Sequence, residues 1–218
     1  PTKKAKENLK NNGIINNIFV TGNTVIDALI YTKKRFFQKE KYINNRMILT
    51  TIHRRENQGK NLKDISLALI KIVENYNDVI ILIPLHPNPK VRENLKKYLS
   101  NNVKIKLVEP FEYNQMISEM QSSFLILTDS GGLQEEAPSL NKPVLVLRDN
   151  TEREEGIKVG NSKLIGTNTA SIYNEVSNLL NNKSEYEKMS KAPNPYGDGE
   201  SSQRILDITL NFLSEKDN

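Results

Sequence analysis

The chain has 218 residues, enough for one large domain or for one domain and a fragment. It has no cysteine and no apolar run near the ~20 residues that span a bilayer, which excludes disulfides and thiolate chemistry and leads us to expect no membrane partner. The formal net charge of +5 suits an anionic ligand, but the lysines are scattered and accompany no aromatic-rich motif, so we predict no nucleic-acid partner.

The first part of the chain predicts two helices joined by an extended segment. Lys3–Asn12 is polar and predicts the first helix, and Ile18–Val20 predicts a short strand or an extended stretch. Asn23 is placed to cap a helix that runs through Val25–Ile30. No complete strand–helix–strand unit precedes this helix, so we expect that the chain lacks an upstream part of its architecture.

Strands and helices alternate through the rest of the chain. Six short apolar or β-branched runs predict strands: Met47–Thr51, Val79–Ile83, Val103–Leu107, Phe124–Thr128, Val144–Leu147 and Lys163–Ile165. Apolar residues at helical spacing predict four helices: Leu62–Val73, Val91–Tyr98, Ile172–Leu180 and Ile205–Leu213. This alternation predicts an α/β fold with a Rossmann-like, doubly wound parallel sheet.

Polar loops follow the first two predicted strands, and each contains one of the two histidines. In an open parallel sheet, ligands bind beyond the carboxyl ends of the strands. His53, Arg54 and Arg55 follow the first strand, where they could neutralise a phosphate and donate a proton, or form a solvated turn. His86 follows the second strand in a proline-rich loop that is equally explained as a simple turn.

The segment Thr128–Glu136 carries the most informative pattern. Gly131 and Gly132 allow a ligand to approach the backbone, and the predicted helix that follows offers free N–H groups to a phosphate. Ser130 adds a hydroxyl, and Glu136 lies about one turn into the helix, where it could accept from both hydroxyls of a ribose. The alternative is an ordinary strand–helix turn with a serine cap.

Two arginines follow the fifth predicted strand. Arg148 and Arg153 could each reach a diphosphate, or could be held in ion pairs by Asp149 and Glu152. The phosphate-loop and dinucleotide motifs are absent, and the two histidines have no metal-ligand spacing. We therefore expect neither a cofactor nor a metal, with arginine, histidine and helix N-termini carrying the phosphate charge.

Four motifs occur in the order found in one enzyme family: Val20–Asp27, Thr51–Asn57, Thr128–Pro138 and Asn194–Gly199. Through them nearly the whole chain resembles the C-terminal portion of the non-hydrolysing UDP-N-acetylglucosamine 2-epimerases. The resemblance implies one half of a two-domain architecture like that of the GT-B glycosyltransferases. It also implies interconversion of UDP-GlcNAc and UDP-ManNAc, without NAD or metal, by elimination and re-addition of UDP for polysaccharide precursor synthesis.

The resemblance assigns roles to individual residues. It implies a UDP site in which a turn and an arginine bind the diphosphate, a glutamate binds the ribose and two apolar side chains contact uracil: Ser130, Gly131, Gly132, Arg153, Glu136, Phe111 and Met116. His53 corresponds to a catalytic histidine, and Arg54 and His86 match positions that contact an allosteric UDP-GlcNAc. Glu154 stands where the family usually has proline.

The same resemblance predicts the organisation of the chain. Residues 1–38 would be the tail of an N-terminal domain and an interdomain helix, 39–199 the UDP-binding domain, and 200–218 a helix that returns toward the N-terminal domain. Because that domain supplies the catalytic carboxylates, we expect this chain alone to bind UDP weakly and to be inactive. The complete protein is expected to be a cytoplasmic homodimer with a UDP-sugar as its small-molecule partner.

Three alternatives are compatible with the residues. The chain could be the UDP-sugar-binding domain of a GT-B glycosyltransferase, a hydrolysing epimerase that releases free ManNAc and UDP, or a non-catalytic nucleotide-sugar sensor. The Thr51–Asn57 and Asp129–Glu136 motifs favour the non-hydrolysing epimerase over the glycosyltransferase.

Overall fold

A six-stranded parallel sheet forms the centre of the computed structural model, which describes residues 1–36, 42 and 44–214. The strands are β1 (Arg46–Thr51), β2 (Val79–Pro84), β3 (Ile105–Val108), β4 (Leu125–Thr128), β5 (Val144–Val146) and β6 (Ser162–Leu164). Their order is β3-β2-β1-β4-β5-β6, and every neighbouring pair is parallel. The predicted fold class, a Rossmann-like doubly wound sheet, is confirmed.

Ten α-helices are found in the described residues: α1 (Lys3–Asn11), α2 (Thr24–Arg35), α3 (Lys60–Asn75), α4 (Pro89–Leu99), α5 (Tyr113–Ser122), α6 (Gly131–Glu136), α7 (Glu154–Val159), α8 (Thr169–Asn181), α9 (Lys183–Ser190) and α10 (Ser201–Ser214). Short 3-10 helices lie at Arg55–Asn57 and Ala137–Leu140.

The sheet separates two layers of apolar core. Successive strand residues point to opposite faces, so that Ile48 lies in one layer while Met47 and Leu49 lie in the other. The first layer is closed by α3, α4 and α8, and the second by α2, α5 and α6. Burial on both faces explains why the central strands are almost continuously apolar rather than alternating.

The strand order reverses between β1 and β4. From β1 the chain builds outward to β2 and β3, and it then returns to place β4 on the other side of β1. The crossovers leaving these two strands therefore cover opposite faces, which opens a crevice beyond their carboxyl ends. The loops after Thr51 and Thr128 meet in this crevice, because those two residues are register partners.

Most predicted elements are confirmed, with differences at their ends. Asn23 caps α2, since its side chain accepts from the backbone N–H of Val25 at 3.2 Å. The third strand begins at Ile105 rather than Val103, which is 81% exposed, because residues 101–104 form a turn before it. Residues 18–20 belong to no strand or helix in the described structure. The predicted boundary at residues 38 and 39 and the last four residues, 215–218, lie outside the described residues.

The turn before α2 depends on a glycine. Gly22 has φ +88°, and a Cβ there would collide with the Ser201 hydroxyl at the start of α10. We expect Gly22→Ala to lower the free energy of unfolding by about 2 kcal/mol or more, from left-handed strain and this collision together. Gly13→Ala is the matched control, because Gly13 has φ +84° and open space around it, so only the strain of about 1 kcal/mol applies. Urea unfolding of both variants measures the difference, and equal losses would contradict the packing argument.

Candidate functional site

A cavity of about 410 Å³ lies at the carboxyl ends of β1, β2 and β4. Its wall combines apolar and polar side chains from four loops: Thr51, Ile52, His53, Pro84, Leu85, His86, Pro87, Pro110, Phe111, Tyr113, Met116, Ser130, Gly132, Leu133 and Glu136. Seven residues singled out in the sequence line it together: His53, His86, Phe111, Met116, Ser130, Gly132 and Glu136. The size and mixed character of the cavity are those of a small-molecule site.

The other three predicted residues lie beside the cavity. Gly131 faces away from it, and a Cβ on Gly131 would be 3.4 Å from Cζ of Arg153. Arg54 is held by its Nε, which donates to the backbone carbonyl of Asp129 at 2.8 Å. Arg153 therefore lies on the side of the Ser130–Gly132 turn that faces away from the cavity, whereas Arg54 is bonded to the residue directly before this turn.

Asp129 is a central residue of the site that sequence reasoning missed. It is 0% exposed and accepts from the backbone N–H groups of His53 and Arg54, each at 2.9 Å, and from Asn57 Nδ2 at 2.9 Å. Burial alone would raise the pKa of this carboxyl, but the hydrogen bonds from His53, Arg54 and Asn57 lower it below its ordinary value. The signal in the sequence is an acidic residue directly after a buried strand.

The two histidines stack on each other at the cavity wall. Their ring centroids are 5.4 Å apart, with 10° between the ring planes. His53 Nδ1 lies 3.0 Å from Asp129 Oδ1, whereas His86 Nδ1 accepts from the backbone N–H of Asn88 at 3.2 Å. They meet because β1 and β2 are neighbouring parallel strands and each histidine follows the end of its strand.

Glu136 is a buried carboxylate on the cavity wall, 8% exposed. It accepts from the hydroxyl of Tyr113 at 2.8 Å. Burial raises the pKa of Glu136, the tyrosine hydrogen bond opposes this rise, and the charge of Glu135 adds to it. Tyr113 begins α5 and was not predicted as a site residue, since a tyrosine in a polar loop carries no specific pattern.

The adjacent Glu135 points to the other side of the helix. It accepts from Arg153 Nε at 2.7 Å and from Asn23 Nδ2 at 2.5 Å. Consecutive helical residues are about 100° apart around the axis, which separates the two carboxylates. Only Glu136 of the acidic pair therefore reaches the cavity.

Glu152 forms ion pairs with three arginines beside the Ser130–Gly132 turn. Its carboxylate lies 3.3 Å from Arg54 Nη2, 2.8 Å from Arg148 Nη1 and 3.0 Å from Arg153 Nη1. The sequence left open whether Asp149 and Glu152 hold Arg148 and Arg153 in ion pairs. This is confirmed for Glu152, whereas Asp149 makes no ion pair within the described ranges. Burial acts to raise the pKa of Glu152, but its own backbone N–H and the charges of Arg148 and Arg153 lower it to about 2.

Known proteins are similar to this sequence over nearly its whole length. The family described as UDP-N-acetylglucosamine 2-epimerase matches residues 1–210. The chain belongs to this family. A UDP-N-acetylglucosamine 2-epimerase of Bacillus subtilis (strain 168) is 47% identical over 214 residues, which are 96% of this chain and 56% of that protein. The chain thus spans little more than half the length of this epimerase.

Solved epimerase structures agree with the fold. The co-structure of S. aureus MnaA with UDP has a TM-score of 0.93 at 44% identity and covers 98% of this chain and 60% of that one. The UDP-GlcNAc 2-epimerase from Neisseria meningitidis, bound to UDP-GlcNAc, has a TM-score of 0.90 at 43% identity. The match covers 97% of this chain and 60% of that one. The resemblance to the epimerases drawn from the four motifs is confirmed.

Neither a metal-binding cluster nor a membrane-spanning helix occurs in the described part of this epimerase-family chain. The described residues contain no group of three or more histidine or acidic side chains that could hold a metal ion. Across residues 1–36, 42 and 44–214, no helix is both long and apolar enough to cross a membrane.

The arginine cluster of this epimerase-family chain predicts a pH dependence of stability. The folded pKa of Glu152, about 2, is below its ordinary value of 4.5, so its contribution is complete above that value and is lost as the pH falls toward about 2. Between about pH 6 and about pH 3, we expect the free energy of unfolding to fall less for the Glu152→Gln variant than for the unmodified chain. The difference should be about 1 kcal/mol or less, because the carboxylate is 44% exposed and solvent screens its ion pairs.

Urea unfolding at the two pH values measures this effect. Glu154→Gln is the control, because Glu154 is an exposed neighbour paired with Lys158. Identical pH dependence of the Glu152→Gln variant and the unmodified chain would contradict the prediction.

Proposed function

We propose that the chain is the UDP-binding part of a non-hydrolysing UDP-N-acetylglucosamine 2-epimerase, which interconverts UDP-GlcNAc and UDP-ManNAc in the synthesis of polysaccharide precursors. The observation that carries this proposal is the cavity at the strand-order switch, where the Ser130–Gly132 turn and the Glu136 carboxylate share one wall in a chain of this family. The family match favours this reading over the glycosyltransferase alternative.

The diphosphate is proposed to bind at the Ser130–Gly132 turn. Ser130 precedes α6 but makes no capping hydrogen bond with its side chain, which leaves the hydroxyl for a ligand. The first backbone N–H groups of α6 lack partners within the helix and favour an anion. Arg153 adds a positive charge next to Gly131, and the phosphate would compete with Glu152 for it.

The nucleoside is proposed to lie next to the diphosphate, along the part of the cavity lined by Glu136, Phe111 and Met116. Glu136 would accept from the ribose hydroxyls, with one of its oxygens already oriented by Tyr113. Phe111 and Met116, which pack against the second core layer, would contact the uracil ring. A flat aromatic base fits such an apolar wall, and the polar ribose and diphosphate fit the polar one.

His53 is proposed to stabilise the departing UDP. Elimination leaves negative charge on the diphosphate, and a histidine at the cavity wall can donate to that oxygen. The carboxylates that remove and return the proton at C2 are proposed to come from the part of the relatives' length that this chain does not span. For this reason we propose that the chain alone binds UDP weakly and is inactive.

A second UDP-GlcNAc is proposed to bind next to the first as an activator. His86 stacks on His53 within the same cavity, and Arg54 donates to the backbone carbonyl of Asp129, directly before the Ser130–Gly132 turn. These residues would contact the activator at the boundary between the two nucleotide sites.

The ends of the chain are proposed to contact an N-terminal domain. Apolar side chains of α10 and of the segment before α2 line one surface groove: Leu9, Ile14, Phe19, Ile205 and Ile208. Leu206, Leu210 and Leu213 of α10 are exposed as well. Such a patch indicates an interface. We propose that residues 1–38 and 200–218 pack against that domain, and that the complete protein is a cytoplasmic homodimer.

Calorimetric titration of the purified chain with UDP tests the proposal. We expect binding, and about tenfold weaker binding for Ser130→Ala, because one hydrogen bond to a charged group is lost. Ser202→Ala, an exposed serine at the start of α10, is the control and should bind normally. A folded chain that does not bind UDP, or that binds equally after Ser130→Ala, would contradict the proposed site.

A second measurement separates the epimerase from its hydrolysing counterpart. The complete protein, incubated with UDP-GlcNAc, should give UDP-ManNAc, identified by NMR of the products. Release of free ManNAc and UDP as the main products would identify a hydrolysing enzyme instead.

A further inference from the structure

The imidazole of His53 has one edge fixed by a buried carboxylate. Its Nδ1 lies 3.0 Å from Asp129 Oδ1, and Asp129 is 0% exposed. The other oxygen, Oδ2, accepts from the backbone of His53 and Arg54 and from Asn57. A carboxylate that receives this many hydrogen bonds is an acceptor only, so the proton between the two side chains belongs to Nδ1 of the histidine.

The imidazole of His86 is fixed in the opposite sense. Its Nδ1 accepts from the backbone N–H of Asn88 at 3.2 Å. An accepting nitrogen carries no proton, so the proton of the neutral ring is on Nε2. Asn88 is itself held in place as the cap of α4, where its side chain accepts from the N–H of Lys90 at 3.0 Å.

We propose that Asp129 is a positioning residue that holds His53 in the Nδ1–H tautomer, opposite to that of His86, so that the cavity wall presents a hydrogen-bond acceptor beside a donor. The acceptor is Nε2 of His53 and the donor is Nε2–H of His86. Both rings line the cavity and their centroids are 5.4 Å apart, so one ligand can contact both imidazoles. A group with one donor and one acceptor, such as a carboxamide or an imide, complements this pair.

The same arrangement prepares His53 to transfer a proton. When Nε2 takes up a proton, the ring becomes a cation that Asp129 stabilises, and Nε2–H can then donate to an oxyanion. Only this step rests on the proposed function, because it requires an anionic ligand at His53. The tautomers themselves are properties of the ligand-free chain.

NMR of the ¹⁵N-histidine-labelled chain tests the proposal without any ligand. The chain has only two histidines, so the spectrum contains two imidazoles, and His86→Gln identifies which signals belong to which ring. At a pH where both rings are neutral, we expect His53 to have a protonated Nδ1 and a bare Nε2, and His86 to have the reverse. A protonated Nε2 on neutral His53 would overturn the proposal.

Asp129→Asn tests whether the carboxylate causes the tautomer. The amide oxygen is expected to take the place of Oδ2, which three donors require, and the NH₂ group would then face Nδ1 and move the proton of His53 to Nε2. Asn57→Ala is the control for general loosening, since it removes a different hydrogen bond to Asp129 and should leave the tautomer unchanged.

Each outcome of this comparison decides the proposal. A tautomer switch in Asp129→Asn but not in Asn57→Ala supports it. An unchanged tautomer in Asp129→Asn, or a switch in both variants, overturns it. If Asp129→Asn does not fold, the tautomer of the unmodified chain still decides, and failure of UDP binding would reject the proposed function without affecting this result.

Discussion

Replacement of Asp129 by alanine is expected to lower the free energy of unfolding by about 3 kcal/mol or more. The carboxylate is fully buried and accepts from two backbone N–H groups and from the side chains of Asn57 and His53. Alanine leaves these buried donors without a partner, and each costs about 1–3 kcal/mol when it is unsatisfied. Rearrangement and water entry recover part of this sum, which is why the expected loss is below it.

The control for this experiment is a variant that removes an aspartate whose carboxylate is not buried. Asp149→Ala is suitable, because Asp149 also follows a central strand but is exposed. Its replacement should change the free energy of unfolding by about 0.5 kcal/mol or less. Chemical denaturation at neutral pH compares the two variants, and a loss below about 1 kcal/mol for Asp129→Ala would refute the structural role assigned to this residue.

Replacement of Glu136 by alanine is expected to weaken UDP binding about 100-fold under the proposed function. A carboxylate that accepts from two ribose hydroxyls makes two hydrogen bonds to a charged group, and each contributes about 1.5 kcal/mol or more. Glu136→Gln keeps one accepting oxygen and should weaken binding about tenfold. Titration calorimetry with the purified chain measures both values.

Ligand fragments distinguish the ribose role from a general disturbance of the cavity. Glu136→Ala should weaken the binding of uridine and of UDP by the same factor, whereas Ser130→Ala should affect UDP alone. Glu112→Ala, an exposed glutamate next to Tyr113, is the matched control and should bind both ligands normally. If Glu136→Ala weakened UDP but not uridine, the glutamate would not be at the ribose.

The pH dependence of binding follows from the same carboxylate. Burial raises the pKa of Glu136 above its ordinary value, and only the ionised form accepts from both hydroxyls. As the pH falls, UDP affinity should therefore begin to decrease at a higher pH than it would if Glu136 had the ordinary pKa of an exposed glutamate.

The sheet was predictable from the sequence because its strands are buried on both faces. β1, β2, β4 and β5 are short, nearly continuous apolar runs, and α3 and α8 bury long apolar stripes at helical spacing. Three helices, α5, α7 and α9, have no counterpart among the predicted elements. The short helices α7 and α9 carry too few apolar residues to show a period. In α5, Tyr113, Met116, Ile117 and Met120 do have helical spacing, so this helix could have been predicted and was missed.

The sequence by itself also determined where the candidate site would lie. Parallel strands place their carboxyl ends at one edge, so residues that follow different strands, such as His53, His86 and Ser130, had to converge there. The four family motifs in their order then identified the family from the sequence alone.

Only the tertiary structure decided how these residues are paired. Asp129, whose carboxylate fixes His53, is 76 residues away from it in the sequence. Tyr113, whose hydroxyl donates to Glu136, is 23 residues away from that glutamate. The tertiary structure also decides that Glu135 pairs with Arg153 while Glu136 faces the cavity. It likewise brings three arginines to Glu152. Periodicity and motif spacing report which face of an element is buried, whereas a hydrogen bond or ion pair depends on the distance between atoms that only the packed fold brings together.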